Sequence, residues 1–200
     1  VIDPFYPVVP TFEWVARLVP AGARFVQLRI KDQPEAELRR QVREAKAVCE
    51  RHGAALIVND YWKIAIEEKC PWVHLGQEDL VDADIGAIRR AGLRLGVSTH
   101  DHAELEKGLA TDPDYVALGP IYPTLLKKMA FGPQGLERIG EWKKLVGRRP
   151  LVAIGGLTLE RALLCLKGGA DSAAVVGDIV NNTDPVAQAK KWIAATRQAA

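Results

Sequence analysis

Gln27, Arg29 and Lys31 stand at alternate positions, so in an extended segment an amide and two cations share one face while Leu28 and Ile30 take the other. Two adjacent cations need anionic company, and phosphate suits both the planar Arg fork and the Lys point charge. The plainer alternative is an ion pair with Asp32 or Glu78, a weak stabiliser because burying charge costs hydration. Asn59-Asp60 and Gly76-Gln77-Glu78-Asp79 follow the next two apolar runs. Asp60 and Asp79 could together hold magnesium, which is commonly bound by one or two carboxylates and completes its shell with water and substrate phosphate. Taken singly, each aspartate could equally be a helix cap or a solvated loop residue. Gly155-Gly156 and Gly177 end two later runs, where backbone N–H groups could approach a phosphate or the glycines could serve only as turns with positive φ. His100 and His102 have no partner at metal-motif spacing. G-x-S-x-G, P-loop and complete G-x-G-x-x-G patterns are absent, so hydrolase, nucleotide-hydrolysing and dinucleotide chemistry lack support.

These residues need elements to position them. Short apolar runs rich in Val, Ile and aromatics predict strands over 5–9, 25–30, 55–58, 72–75, 94–98, 115–118, 151–154 and 172–176. Helical spacing fills the intervals at 11–18, 34–51, 62–69, 82–90, 102–110, 136–145, 159–166 and 185–199. Gly22, Gly53, Gly92 and Gly169 close helices, and Asp82 and Thr158 are expected N-caps. Continuous apolar runs such as Leu56-Ile57-Val58 mark strands buried on both faces, which means a parallel sheet. Eight β/α units are the number that closes, and the expected fold is a single-domain (β/α)8 TIM barrel over residues 1–200. An open doubly wound sheet is the alternative. In a barrel, the polar strand ends gather at one mouth.

At 48% apolar and 26% charged residues, the 200-residue chain has the material for one core and a solvated surface. Its 27 basic and 25 acidic residues are too balanced for a nucleic-acid stripe, and no apolar stretch approaches a membrane span. A soluble cytoplasmic protein acting on small molecules is expected, without nucleic-acid or membrane partners and compatible with a homo-oligomer. Cys49, Cys70 and Cys165 are odd in number and far apart, which suits buried fillers better than a disulfide or zinc framework. The five tryptophans are spread along the chain as packing residues. Residues 119–134 exceed the usual connection length and suggest a lid.

In this order the strand ends resemble the thiamine-phosphate synthase family. The resemblance runs through Val26-Gln27-Leu28-Arg29, Val58-Asn59-Asp60, His74-Leu75-Gly76-Gln77-Glu78-Asp79-Leu80, Gly96-Val97-Ser98-Thr99-His100, Gly119-Pro120-Ile121-Tyr122-Pro123-Thr124, Ala153-Ile154-Gly155-Gly156 and Ala174-Val175-Val176. It implies a (β/α)8 barrel joining a hydroxymethylpyrimidine diphosphate to a hydroxyethylthiazole phosphate. It implies that Gln27, Arg29, Lys31, Asn59 and Lys127 bind the pyrimidine diphosphate, that Asp60 and Asp79 hold Mg²⁺, and that Ser98 contacts the pyrimidine ring or leaving diphosphate. Arg29, Lys31, Ser98 and Lys127 would then carry the catalysis. Thr124 with its loop backbone, Gly155, Gly156, Val176 and Gly177 would hold the thiazole phosphate. Leu126 stands where the family usually has a second threonine and Gly177 where it commonly has serine, so two hydroxyl contacts are missing. A thiazole tautomerase would resemble this chain, but that branch has a histidine where Pro120 stands and lacks a complete Gln-Glu-Asp. A silent phosphate-binding protein would leave the paired aspartates without a task.

Overall fold

The computed structural model describes residues 2–124 and 132–199. Eight parallel strands close into a barrel in sequence order, which settles the choice against an open sheet. They are β1 (Phe5–Val9), β2 (Phe25–Leu28), β3 (Ala55–Asn59), β4 (Trp72–Leu75), β5 (Arg94–Thr99), β6 (Tyr115–Leu118), β7 (Leu151–Ile154) and β8 (Ser172–Val175). The seam is closed by β1 against β8, with Phe5 opposite Ala173 and Pro7 opposite Val175.

The side-chain period of two divides the core into two bodies. Val26, Leu28, Val58, Val73, Leu75, Leu95, Val97, Val116 and Leu118 face outward into the helix layer. Tyr6, Val8, Phe25, Ile57, Trp72, Tyr115, Ala117, Val152 and Ala174 face inward and fill the barrel. Its inner aromatic layer packs edge to face, with Phe25 and Trp72 ring centroids 5.2 Å apart at 89°. The barrel is thus plugged by rings below and left polar above.

The helices are α1 (Phe12–Leu18), α2 (Glu35–Arg51), α3 (Trp62–Glu67), α4 (Gln77–Asp82), α5 (Ile85–Arg90), α6 (His102–Ala110), α7 (Glu137–Val146), α8 (Leu159–Lys167), α9 (Gly177–Val180) and α10 (Pro185–Ala199). Four starts among the described residues are side-chain capped: Asp84 accepts from Ala87 N–H, Asp101 from Glu104 N–H, Thr158 from Arg161 N–H and Asp184 from Ala187 N–H. Trp142 and Trp192 are fully buried under the helix layer, and the three cysteines are buried and free. No helix among the described residues is long and apolar enough to cross a membrane.

The structure corrects several boundaries. β2 ends at Leu28, two residues short of expectation, although Arg29 N–H still donates to Val9 C=O at 2.8 Å. The single helix expected over 82–90 is two, α4 and α5, and the cap is Asp84, with Asp82 lying inside α4. The sequence of α4 had the signature of a helix start, Glu78 and Asp79 in the first turn, where carboxylates favour the N-terminal dipole. α9 is a further short helix directly after β8.

Candidate active site

Alternation carries past the end of β2: Gln27 is buried inside the barrel, Ile30 is buried against the helices, and Arg29 and Lys31 are exposed at the rim. Lys31 finds its carboxylate in neither Asp32 nor Glu78. Its Nζ donates to Asp60 Oδ2 at 2.5 Å, while Glu78 and Asp32 are exposed. Asp60 follows β3 with φ 65°, a left-handed conformation that costs a β-carbon residue energy and is concentrated at functional sites. That turn is fixed by Asp60 N–H donating to His74 C=O at 2.9 Å and Trp62 N–H donating to Asp60 C=O at 2.7 Å.

Asp79 reaches the same point from the first turn of α4. Burial, the neighbouring Asp60 charge and a hydrogen bond shared with Asp60 hold the Asp79 carboxyl above the usual range, opposed by Lys31. Two carboxylates from the ends of adjacent strands are therefore pressed together at one place. Among the described residues no group of three or more His, Cys, Asp or Glu side chains forms a closed metal cage. A two-carboxylate site of this kind suits magnesium, which needs further oxygen from water or phosphate, better than zinc. Immediately before Asp60, the Asn59 side chain is 5% exposed and its Nδ2 has no hydrogen-bond partner. A buried amide donor left unpaired costs about 1–3 kcal/mol, so its retention at the mouth points to a ligand acceptor.

Below this rim runs a chain of buried hydrogen bonds that reading the residues did not foresee. Gln27 Nε2 donates to Tyr6 Oη at 2.6 Å, Tyr6 and Tyr115 hydroxyls are 2.7 Å apart, Tyr115 Oη lies 2.7 Å from His74 Nδ1, and His74 Nε2 lies 2.8 Å from Ser98 Oγ. Burial, reinforced by Arg29 and opposed by Asp60, pushes the His74 imidazole down to about 4, so it is neutral at physiological pH. Burial likewise pushes the Tyr6 and Tyr115 hydroxyls above their usual range. The available signal was parity: Tyr6, Gln27, His74, Ser98 and Tyr115 are polar residues at inward positions of otherwise apolar strands.

Several other polar residues of the mouth serve the scaffold. Gln77 Nε2 donates to Ser98 C=O at 2.7 Å, and Asp178 accepts from Gln188 at 2.8 Å and Trp192 at 2.6 Å. His100 is bound to Glu104 at 2.6 Å and His102 to Glu141 at 2.7 Å. Gly155 and Gly156 have φ of 101° and 64°, which gives them the turn role. They also admit the connection after β6: a Cβ on Gly155 would lie 2.5 Å from Pro120 Cα, and one on Gly156 2.5 Å from Pro123 O. Val176 and Gly177 open α9, whose first amides have no intrahelical acceptor. Thr124 is the last residue described before a gap in that connection; Leu126, Lys127 and the rest of 125–131, in the middle of the expected lid, lie outside the described residues. The opposite face has an open depression of about 580 Å³. Its arginines are occupied, Arg24 by the His52 carbonyl, Arg94 by the Trp72 ring and Arg197 by the Asp3 carboxylate.

A closed (β/α)8 barrel with a cation, two interacting carboxylates and an unpaired amide at the C-terminal strand ends defines the class, a barrel enzyme, since such barrels carry their active sites at that face. The profile of the thiamine monophosphate synthase family covers residues 5–179. The chain is 60% identical over 195 residues to a thiamine-phosphate synthase of Rhizobium etli, covering 98% of this chain and 96% of that one. It is 50% identical to the thiamine-phosphate synthase of Cronobacter sakazakii, over 96% and 89% of the two chains. It belongs to the thiamine-phosphate synthase family. In fold it is similar to thiamine phosphate pyrophosphorylase from Pyrococcus furiosus, with TM-score 0.87 and 24% identity over 99% of this chain and 96% of that one.

Proposed function

We propose that this chain condenses a hydroxymethylpyrimidine diphosphate with a hydroxyethylthiazole phosphate, forming a C–N bond and releasing diphosphate. The observation that carries the reading is the rim cluster, in which Lys31, Asp60 and Asp79 meet beside the unpaired Asn59 amide. Asp60 and Asp79 would hold Mg²⁺, which supplies charge neutralisation to the leaving diphosphate when bound. Arg29, Lys31 and Lys127 bind that diphosphate as cations. Asn59 and Gln27 serve the pyrimidine diphosphate from inside the barrel, and Ser98 meets it from β5.

Departure of diphosphate leaves positive charge on the pyrimidine methylene, and cations at the rim stabilise the separating anion more than the intact ester. The thiazole phosphate is held by Thr124, the backbone at Gly155 and Gly156, and the amides from Val176 and Gly177. Leu126 and Gly177 contribute no hydroxyl to it. Anchoring the phosphate brings the ring nitrogen to the methylene, so proximity supplies the association step and no protein nucleophile is required. A cytoplasmic setting and freedom from membrane partners accompany this reading.

The test is product formation: purified protein with both substrates and Mg²⁺ yields thiamine phosphate and diphosphate in equal amounts. No product with both substrates and excess Mg²⁺ refutes the reading.

A further inference from the structure

We propose that His74 is a positioning residue, fixed by the buried Tyr6 and Tyr115 hydroxyls as the tautomer protonated on Nε2, which turns the Ser98 hydroxyl into a donor aimed at the barrel mouth. The inference rests on the function proposed above for its kinetic consequence, but its structural core stands apart from it.

The direction follows from counting hydrogens along the chain. Each hydroxyl has one hydrogen to give, and a neutral imidazole has one N–H. Gln27 Nε2 donates to Tyr6 Oη, so the Tyr6 hydrogen is left for Tyr115 at 2.7 Å. The Tyr115 hydrogen then goes to His74 Nδ1, also at 2.7 Å. With Nδ1 accepting, the imidazole hydrogen is on Nε2 and points at Ser98 Oγ, 2.8 Å away. Ser98 accepts that bond, and its own hydrogen is free to turn to a ligand. Running the chain the other way would bring two donors onto Tyr6 and leave the Tyr6 hydrogen facing no acceptor among the described residues. A fully buried hydroxyl is not left so.

The scaffold is built around this arrangement. The Tyr115 ring stacks on the His74 ring with centroids 5.6 Å apart and planes 16° from parallel. It occupies the place where a side chain would begin on β5: a Cβ on Gly96 would lie 2.0 Å from Tyr115 Cζ and 2.4 Å from its hydroxyl. Glycine at 96 is thus what lets the phenol reach beneath the imidazole. Tyr6 and Tyr115 are both fixed by the aromatic layer, so neither hydroxyl can swing to another partner.

The consequence is a statement of chemistry. A serine whose oxygen already accepts an N–H and whose hydrogen is free favours an acceptor, such as a phosphate oxygen or a ring nitrogen, because only one of its two lone pairs is left for a donor. In the proposed reaction such a donor strengthens its bond to a phosphate oxygen as the leaving diphosphate gains negative charge.

The tautomer is read directly by ¹⁵N NMR on the labelled full-length protein, with the His74 ring assigned by its loss in His74→Gln. The expected result is a proton on Nε2 and a bare Nδ1; a proton on Nδ1 overturns the proposal, whether or not the protein makes thiamine phosphate. The kinetic arm uses Tyr115→Phe, which keeps the ring and removes the donor to Nδ1. We expect kcat to fall about tenfold with KM for the thiazole phosphate little changed, and no further fall when the same change is made in Ser98→Ala. An equal fall in both backgrounds overturns action through Ser98. Inorganic diphosphate with Mg²⁺ and the unphosphorylated hydroxymethylpyrimidine, titrated separately into both proteins, identify the acceptor by which of the two loses affinity in Tyr115→Phe; equal affinity of each probe for both proteins would overturn the donor role.

Discussion

Asn59→Leu separates what a buried amide costs the fold from what it gives the ligand. In the free protein the Asn59 Nδ2 is buried without a partner. Replacing it by an apolar side chain of similar size removes an unsatisfied donor, a gain of about 1–3 kcal/mol. For a domain of this size each kcal/mol moves the midpoint by about 2–4 °C, so the ligand-free variant is expected to melt on the order of 5 °C above the parent. Bound pyrimidine diphosphate offsets most of that difference. One hydrogen bond to a charged group is worth about 1.5–3 kcal/mol, so the variant is expected to bind about 10–100-fold more weakly. At a ligand concentration near 100 Kd the parent gains about 2.7 kcal/mol and the variant much less. Calorimetric melts of both proteins, with and without the diphosphate and Mg²⁺, show the two midpoints converging, and isothermal titration gives the affinity. A variant that melts below the parent without ligand and binds as tightly would refute the assignment of Asn59 to the substrate.

Gly96→Ala drives a methyl group into the Tyr115 ring, which packs against three other aromatics and cannot retreat. Overpacking on this scale costs about 1–3 kcal/mol or more, seen as a midpoint several degrees lower by circular dichroism, and an unchanged midpoint would show that the barrel interior yields. Asp79→Asn relieves the repulsion from Asp60. Because the Asp79 carboxyl is held high in the folded state, folding binds its proton more tightly, so this residue's contribution falls as pH rises from the ordinary range through the raised value. The variant is therefore expected to melt higher than the parent at pH 7 without metal and to show no Mg²⁺-induced shift, and a parent-like Mg²⁺ shift would count against the metal site. His74 has the opposite sign: its folded value is depressed from 6.5 to about 4, so its contribution is full above 6.5 and is lost as pH falls toward 4. That loss is roughly 3 kcal/mol, and urea melts of His74→Gln should show a shallower slope over this window, whereas parallel curves for the two proteins would refute a buried neutral imidazole.

The eight-unit alternation was legible because each strand is buried on both faces and each helix shows one apolar stripe, two periods that do not mimic one another. The limits of β2 were less so, since alternation of Gln27, Arg29 and Lys31 continues after the ladder to the next strand has stopped. Asp60 and Asp79 could be paired from the barrel's geometry once the strand order was assumed. The partner of Lys31 could not, because Asp32, Glu78 and Asp60 are equally near in the abstract and only the turn at Asp60 brings that carboxylate inward. The Tyr6–Tyr115–His74 chain was hidden for a different reason: hydroxyls and an imidazole inside apolar strands read as core aromatics until three dimensions place them end to end. For Gly155 and Gly156, positive φ and contact with the Pro120–Pro123 backbone explain the residue type without any ligand.

The seam between β1 and β8 has a bearing on biosynthesis. β1 lies at the start of the chain, yet one of its edges is paired by β8, with Ala173 N–H donating to Pro4 C=O at 2.9 Å and Ser172 Oγ donating to Asp3 C=O at 2.7 Å. Until β8 leaves the ribosome, a flat apolar strand has an open edge, and at about 5–20 residues per second that interval is roughly ten to thirty seconds. Open edges of this kind recruit other chains. The β1 edge is thus the part of the nascent barrel exposed longest to pairing with another chain, and its protection comes with the last strand rather than with the first.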